Sequence, residues 1–184
     1  MIIRNARSAD AQALAALAEA TFRDTFADAN TPADMDRHCA TAYGEAIQAQ
    51  EIASPARVTL LAEQDRRLVG YAQVRWSASP PCVEARAPGE IQRLYVVRDC
   101  HGRGVAHDLM HACLAALAAR GADVAWLGVW ERNPKAIAFY RKFGFREVGA
   151  HVFTVGSDAQ RDIVMVRAVA ASVAAVHPAS VGRR

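Results

Sequence analysis

The sequence predicts an α/β fold whose central sheet is mixed, mostly antiparallel and flanked by helices. Two observations carry this prediction. Strand-like and helix-like segments follow one another in the order β-α-α-β-β-β-α-β-α-β-β. Near the middle, a run rich in β-branched and aromatic residues, 91–97, leads through a glycine turn into an amphipathic helical period over 105–119. Because no repeat or second domain is seen, residues 1–169 are predicted to form one domain and residues 170–184 a C-terminal tail.

The first half of the chain is predicted to hold one strand, two helices and a hairpin. Thr31 and Pro32 suit the N-cap and the first position of the second helix. A polar turn at 64–67 separates two apolar runs, which is typical of a β-hairpin. The predicted elements are a strand at 2–4, helices at 11–26 and 32–50, and strands at 57–63 and 68–76.

The second half continues with alternating helices and strands. The run 124–130 is almost wholly apolar, which predicts a strand buried on both faces. Asn133 and Pro134 open a further helix that ends at Gly144. The remaining predicted strands are two short pieces at 145–148 and 151–155 and a last strand at 163–169.

The composition indicates a globular protein without a disulfide framework. The chain of 184 residues is 52% hydrophobic and 22% charged, and its net charge of +3 is too small to argue for a nucleic-acid partner. The four cysteines have no CxxC spacing, and no residues have metal-site spacing. Neither a signal-peptide core nor an apolar run of about 18 residues occurs. We therefore expect a cytoplasmic protein that binds no metal, nucleic acid or membrane.

The turn Gly102-Arg103-Gly104, between the central strand and its helix, is a candidate anion site. The first N–H groups of a helix have no partner within it and carry the positive end of its dipole. Glycines let the backbone approach a phosphate closely. The backbone from Gly102 to His107 is therefore expected to bind a phosphate or pyrophosphate. The alternative is an ordinary strand-to-helix turn that needs glycine for its dihedral angles.

Two common phosphate-binding motifs do not fit this turn. A P-loop requires a Lys followed by a hydroxyl residue, and the turn has neither. A dinucleotide-binding fingerprint requires a third glycine, where this chain has His107. It also requires an acidic residue at the end of the next strand, whereas Asp123 stands at the start of that strand.

The turn resembles motif A of the GNAT superfamily of N-acetyltransferases, Q/R-x-x-G-x-G/A. Gly104 and Ala106 match this motif, whereas His101 stands where Gln or Arg is usual. The superfamily's motif B, N-x-x-A-x-x-F-Y-x-x-x-G-F, is matched by Asn133, Ala136, Phe139, Tyr140, Gly144 and Phe145. Because both motifs occur at the family's separation, the chain is identified as a member of this superfamily, which implies the GNAT fold.

The resemblance implies transfer of an acetyl group from acetyl-CoA to a primary amine by direct attack in a ternary complex, without a metal. Tyr140 matches the family's general acid for the leaving thiolate. Glu90 aligns with a general base of some members, with a plain surface Glu at a strand end as the alternative. The residues assigned to acetyl-CoA, many through their backbone, are Leu94, Tyr95, Val96, His101, Gly102, Arg103, Gly104, Val105, Ala106, His107, Asn133 and Lys142.

Within the superfamily, the chain looks most like the bacterial spermidine/spermine N-acetyltransferase subgroup. Segments 21–26 and 126–133 and the tripeptide Gly149-Ala150-His151 carry this likeness. A polyamine acceptor would need acidic side chains, and the candidates are Asp24, Asp28, Asp34 and Asp36. Another small amine, a protein N-terminus and a non-catalytic acyl-CoA sensor are the alternatives. Homodimers are common in the family, which makes one a candidate state here by analogy.

Overall fold

The computed structural model describes residues 1–170, so the predicted tail lies outside the described residues except at its first position. Within this range the chain forms seven strands and five α-helices. In chain order they are β1 (Ile2–Asn5), α1 (Ala11–Phe26), α2 (Pro32–Ala42), α3 (Glu45–Ala53), β2 (Arg57–Gln64), β3 (Arg67–Arg75), β4 (Pro88–Val96), α4 (Val105–Ala119), β5 (Val124–Trp130), α5 (Pro134–Lys142), β6 (Arg146–Val155) and β7 (Asp158–Ala168). None of these helices is long and apolar enough to cross a membrane.

The seven strands form one sheet in the order β1-β2-β3-β4-β5-β7-β6. Neighbouring strands are antiparallel except β4 and β5, which run parallel and pair only at 88–90 with 124–126. Past this short ladder the two strands are no longer hydrogen-bonded, and a cleft opens between their carboxyl ends. The predicted α/β fold with a mixed, mostly antiparallel sheet is confirmed.

Helices cover both faces of the sheet. On one face, α4 contributes the apolar stripe that its sequence period predicts, and the buried members are Val105, Leu109, Met110, Cys113 and Leu117. On the other face, α1 and α2 pack a largely aromatic layer over Tyr71 of β3, with Phe22, Phe26, Phe153 and the non-aromatic Met35 among its members. Burial of these side chains is the main favourable term for folding, at about 1.5–3 kcal/mol for each large apolar residue.

Three predicted boundaries differ from the structure. The second predicted helix is two helices, because Tyr43 leaves the helical region (φ −132°, ψ 59°) and Gly44 becomes the N-cap of α3. The two predicted pieces around 145–155 are one strand, β6, with an irregularity between Glu147 and Gly149. The last strand begins at Asp158 rather than 163, because its first half pairs with β6 in a hairpin.

The turn between β6 and β7 is attached to the start of α2. Ser157 donates from its backbone N–H and its hydroxyl to Asp34 Oδ1, at 2.7 and 2.8 Å. Gln160 Nε2 donates to Asn30 Oδ1 at 2.7 Å. The C-terminal hairpin therefore closes one side of the layer formed by α1 and α2.

Candidate active site

A cleft of about 1520 Å³ lies where β4 and β5 separate, and the N-termini of α4 and α5 border it. Its lining combines strand, turn and helix residues from both halves of the chain. Of the residues predicted from sequence, those that line it are Leu94, Val96, His101, Gly102, Gly104, Ala106, His107, Asn133, Tyr140 and Lys142. The structure therefore brings most of the predicted site together at one place.

The glycine turn has the geometry that a close approach to an anion requires. Gly102 and Gly104 have φ values of +75° and +86°, in the left-handed region that favours glycine. A Cβ at either position would meet no atom within 4 Å, so the space beside the turn is open. Asp108 is the first helical residue whose N–H bonds back, to Gly104 O at 3.0 Å. The earlier N–H groups of α4 are therefore free to bind a ligand.

His101, the residue that departs from motif A, has a structural contact. Its Nε2 lies 2.8 Å from the carbonyl oxygen of Val96. Because a carbonyl can only accept, the ring proton must be on Nε2. The His101 side chain thereby fixes the turn to the end of β4, and its part in cofactor binding stays a prediction.

The free edge of β4 offers backbone groups to the cleft. Leu94 and Val96 direct their side chains to the cleft side of the sheet, among the residues that pack on α4. Tyr95 points to the opposite face, where it stacks on Tyr71 with ring centroids 5.7 Å apart. Only the backbone of Tyr95 is left for a ligand on the cleft side, which is the kind of contact predicted for it.

Positive charge dominates the cleft. Its lining includes five Lys or Arg residues, Arg98, Arg132, Lys135, Lys142 and Arg167, and a single acidic residue, Asp24. Such a cavity favours a ligand with several negative charges. Three of the cations, Arg132, Lys135 and Arg167, were not found by sequence reasoning, because neither motif includes them.

An aromatic cluster borders the same cleft beyond the turn. His107 and His111 lie one helical turn apart on α4, and Phe143 lies 5.2 and 5.3 Å from their rings. All three residues line the cleft. Sequence reasoning named only His107, since the contact of α4 with the end of α5 is a tertiary feature. The cluster offers a flat apolar surface beside the cationic groups.

Tyr140 presents its ring to the cleft from α5. Burial raises the pKa of its hydroxyl well above the usual range for tyrosine. Within residues 1–170 the hydroxyl makes no hydrogen bond, so no core partner holds it away from a ligand. Asn133 lies at the start of the same helix, where its Oδ1 accepts a hydrogen bond from the N–H of Ala136 at 3.0 Å. Its amide NH₂ group remains available to the cleft.

Glu90 and two turn residues do not line the cleft. Glu90 is buried, and Arg75 donates to both of its carboxylate oxygens through Nε and Nη2. Arg103 is exposed outside the cleft, and Val105 is buried in the core against the sheet. Because both carboxylate oxygens of Glu90 are engaged by Arg75 away from the cleft, its catalytic role stays a prediction without a supporting contact.

Replacing Glu90 by Gln distinguishes a structural role, as the partner of Arg75, from a catalytic role as general base. If the ion pair with Arg75 is structural, we expect a loss of about 1–3 kcal/mol in unfolding free energy, as for a charged hydrogen bond, with kcat changed less than about threefold. Denaturant unfolding and steady-state kinetics measure the two effects. Glu63→Gln, which breaks a more exposed pair with Arg4, should cost less than about 1 kcal/mol. A fall in kcat of about 100-fold would instead support the role as base.

Only one of the four acidic residues proposed for a polyamine lines the cleft. Asp24 does so at the end of α1. Hydrogen bonds from Ser157 lower the pKa of Asp34 to about 2 and engage its carboxylate. Asp36 accepts a hydrogen bond from Arg23 at 2.8 Å. Asp34 and Asp36 therefore join α2 to the β6–β7 turn and to α1, and Asp28 does not line the cleft.

Comparisons with known proteins agree on one family. The profile of the acetyltransferase (GNAT) family matches residues 13–145. An uncharacterized N-acetyltransferase of Mycobacterium tuberculosis is 35% identical over 158 residues, which cover 86% of this chain and 97% of that protein. An uncharacterized N-acetyltransferase from Lactobacillus delbrueckii subsp. lactis is 30% identical over 156 residues, which cover 84% of this chain and 89% of that protein.

Solved structures show the same fold. The PaiA N-acetyltransferase from Thermoplasma acidophilum, crystallised in complex with coenzyme A, superposes with a TM-score of 0.72 at 20% identity, covering 91% of this chain and 98% of that one. A GCN5-related N-acetyltransferase from Rhodopseudomonas palustris superposes with a TM-score of 0.71 at 22% identity, covering 91% of this chain and 94% of that one. The family match, the relatives and the shared fold together show that the chain belongs to the acetyltransferase (GNAT) family of N-acetyltransferases.

Proposed function

We propose that the protein transfers an acetyl group from acetyl-CoA to a small primary amine. The observation that carries this proposal is the combination of free N–H groups at the start of α4 with five lining cations and an open β4 edge. Phosphates need the first two features, and the amides of a pantetheine arm need the third. A relative crystallised with coenzyme A shares the fold.

In this proposal the turn binds the pyrophosphate and β4 binds the pantetheine arm. Backbone N–H groups from Gly102 to His107 donate to phosphate oxygens, and Lys142 and the other cations add charge. A free N–H of β4 near Leu94 stabilises the oxyanion that develops on the thioester carbonyl. The aromatic cluster of His107, His111 and Phe143 offers a surface on which an adenine base can stack.

Tyr140 is proposed as the general acid. A tyrosine hydroxyl, with an ordinary pKa of about 10, is protonated at neutral pH, and burial raises the pKa of Tyr140 further. It can therefore donate its proton to the leaving thiolate. No metal is needed for these steps. Among residues 1–170 no three His, Cys, Asp or Glu side chains lie close enough together to form a metal site.

Direct attack in a ternary complex is the proposed order of events. Cys100 is the single cysteine of the described chain that lines the cleft, and it could in principle accept an acetyl group first. Intersecting lines in double-reciprocal plots are expected for the ternary complex. Parallel lines, together with loss of activity in Cys100→Ala, would instead indicate a covalent acetyl-enzyme.

The acceptor is proposed as a small amine, and spermidine and spermine stay candidates on the strength of the subgroup likeness. Asp24 is the cleft residue that favours a cationic acceptor. The experiment that tests the function measures free thiol released from acetyl-CoA with spermidine, spermine, simple diamines, amino acids and a peptide with a free N-terminus. Amine-dependent release supports the proposal.

Absence of turnover with every amine, alongside tight binding of acetyl-CoA, would contradict it and favour a non-catalytic sensor. The homodimer stays a prediction, which sedimentation at several protein concentrations tests.

A further inference from the structure

Two histidines face each other on the first two turns of α4, at the border of the cleft. His107 and His111 are four positions apart, which places them on the same side of the helix. Their Nε2 atoms lie 3.3 Å apart, whereas their ring centroids are 4.4 Å apart. Both side chains are exposed. The two rings therefore come closest at a nitrogen atom that imidazole uses to bind metals.

The separation of the two nitrogens matches the edge of a zinc coordination tetrahedron. Zn–N bonds are about 2.0–2.1 Å long, and two such bonds at the tetrahedral angle place their nitrogens about 3.3–3.4 Å apart. A square-planar ion would need about 2.9 Å. Two histidines at i and i+4 on one helix also bind zinc in the H-E-x-x-H motif. That spacing alone predicts little from the sequence, and the short distance between the nitrogens gives it meaning.

Neighbouring side chains orient the two rings. Asp108 Oδ1 lies 3.4 Å from His107 Nδ1. Because a carboxylate can only accept, the His107 proton is on Nδ1, and the lone pair of Nε2 is free. Carboxylates orient metal-binding histidines in this way in zinc sites. The ring of Phe143 lies 5.2 and 5.3 Å from the two imidazole rings and restricts their rotation.

A metal ion would replace the hydrogen bond that joins the two rings. Since His107 Nε2 accepts, the donated proton is on His111 Nε2. When a metal binds, this proton moves to His111 Nδ1 through solvent, so both rings stay neutral. Within residues 1–170 no third His, Cys, Asp or Glu joins the pair as a ligand. Water therefore completes the coordination of the ion.

We propose that His107 and His111 bind Zn²⁺ or a similar divalent transition-metal ion, and that a bound ion competes with acetyl-CoA. This proposal departs from the expectation, drawn from the sequence, that no metal binds. The metal site does not depend on the proposed function, whereas the competition rests on it. Both histidines and Phe143 line the cleft, and their rings form the surface proposed for adenine. The ion and its water ligands occupy the space beside that surface.

The surrounding charge limits the affinity of this site. Five Lys or Arg residues line the cleft, and the start of α4 carries the positive end of its dipole, so both oppose a cation. Asp108 offsets part of this charge. Two of the four ligands of a structural zinc site should supply about half of its binding free energy, which corresponds to a Kd of about 1–200 µM. An ion bound this weakly exchanges reversibly.

Titration calorimetry of the wild-type protein with Zn²⁺ at neutral pH tests the site. We expect one ion per chain, with a Kd of about 1–200 µM, and no binding of Mg²⁺, which prefers oxygen ligands. His107→Gln and His111→Gln should each weaken Zn²⁺ binding at least about tenfold, because each removes one of two protein ligands. His177→Gln, which removes a histidine outside the described residues, is the control and should bind Zn²⁺ like the wild type.

The competition is tested by the Kd for acetyl-CoA with and without Zn²⁺. At a Zn²⁺ concentration about ten times its own Kd, a competing ion raises the apparent Kd for acetyl-CoA about tenfold. The same pair of measurements on His111→Gln corrects for zinc bound by the phosphates of acetyl-CoA itself. We expect the additional rise in the wild type only.

The outcomes separate the metal site from the proposed function. Zn²⁺ binding that both histidine substitutions leave unchanged, or that His177→Gln abolishes, would overturn the site. Zn²⁺ binding at the pair with the same effect on acetyl-CoA in the wild type and in His111→Gln would overturn the competition and keep the site. A protein that binds Zn²⁺ at the pair but never binds acetyl-CoA would overturn the proposed function and leave the metal site standing.

Discussion

Replacing Gly104 by Glu is expected to weaken acetyl-CoA binding severely, with a rise in Kd of about 100-fold. The new carboxylate stands where the free N–H groups of α4 attract an anion, and losing a charge-assisted hydrogen bond costs about 1.5–3 kcal/mol. A loss of about 3 kcal/mol corresponds to a factor of about 100 in Kd. Strain of a Cβ at φ +86° costs about 1–2 kcal/mol of stability in the free and the bound protein alike and leaves the Kd unchanged. Titration calorimetry with acetyl-CoA measures the change.

Gly121→Glu is the matched control for this substitution. Gly121 follows the other end of α4, has φ +74° and likewise has no atom within 4 Å of a Cβ. The control therefore adds the same charge and similar strain away from the cleft, so its Kd should match the wild type. Wild-type affinity for acetyl-CoA in Gly104→Glu would show that the turn is not part of the cofactor site.

Removing the hydroxyl of Tyr140 is expected to lower kcat by about 10²- to 10³-fold while changing the Kd for acetyl-CoA less than about threefold. General acid catalysis typically contributes factors of this size. The ring of Tyr140→Phe keeps its packing against Phe139 and Phe145, so binding should survive. Single-turnover measurements of thiol release separate chemistry from product release.

Tyr71→Phe is the control for loss of a tyrosine hydroxyl. Tyr71 is fully buried on the opposite face of the sheet, so the kcat of Tyr71→Phe should equal that of the wild type. An unchanged kcat in Tyr140→Phe would show that another group, or solvent, protonates the thiolate. A large rise in Kd would instead make Tyr140 a binding residue.

Most of the fold was predictable because local pattern and tertiary packing agree. The period of Val105, Leu109, Cys113 and Leu117 predicted the face of α4 that the structure buries. The break between α2 and α3 was missed, since it depends on one residue, Tyr43, leaving the helical region before Gly44. The full length of β7 was also missed, because exposed polar residues at its start are held only by pairing with β6.

The candidate site was predictable where it consists of consecutive residues. The turn at 101–107 and the helix from Asn133 were located by their motifs. The partners of individual side chains could not be predicted from the sequence, because they depend on the register of the sheet. Glu90 is opposite Arg75 across the β3–β4 ladder, which no pattern in either strand reveals.

The attachment of the β6–β7 turn to α2 has a consequence for how the chain folds. Ser157 and Asp34 are 123 positions apart, and Gln160 and Asn30 are 130 apart. During synthesis, the aromatic layer of α1 and α2 leaves the ribosome long before the hairpin that closes it. Contacts of such separation form late and slowly. We therefore expect nascent chains that end before β7 to expose this layer and to be the species most prone to aggregate or to engage a chaperone.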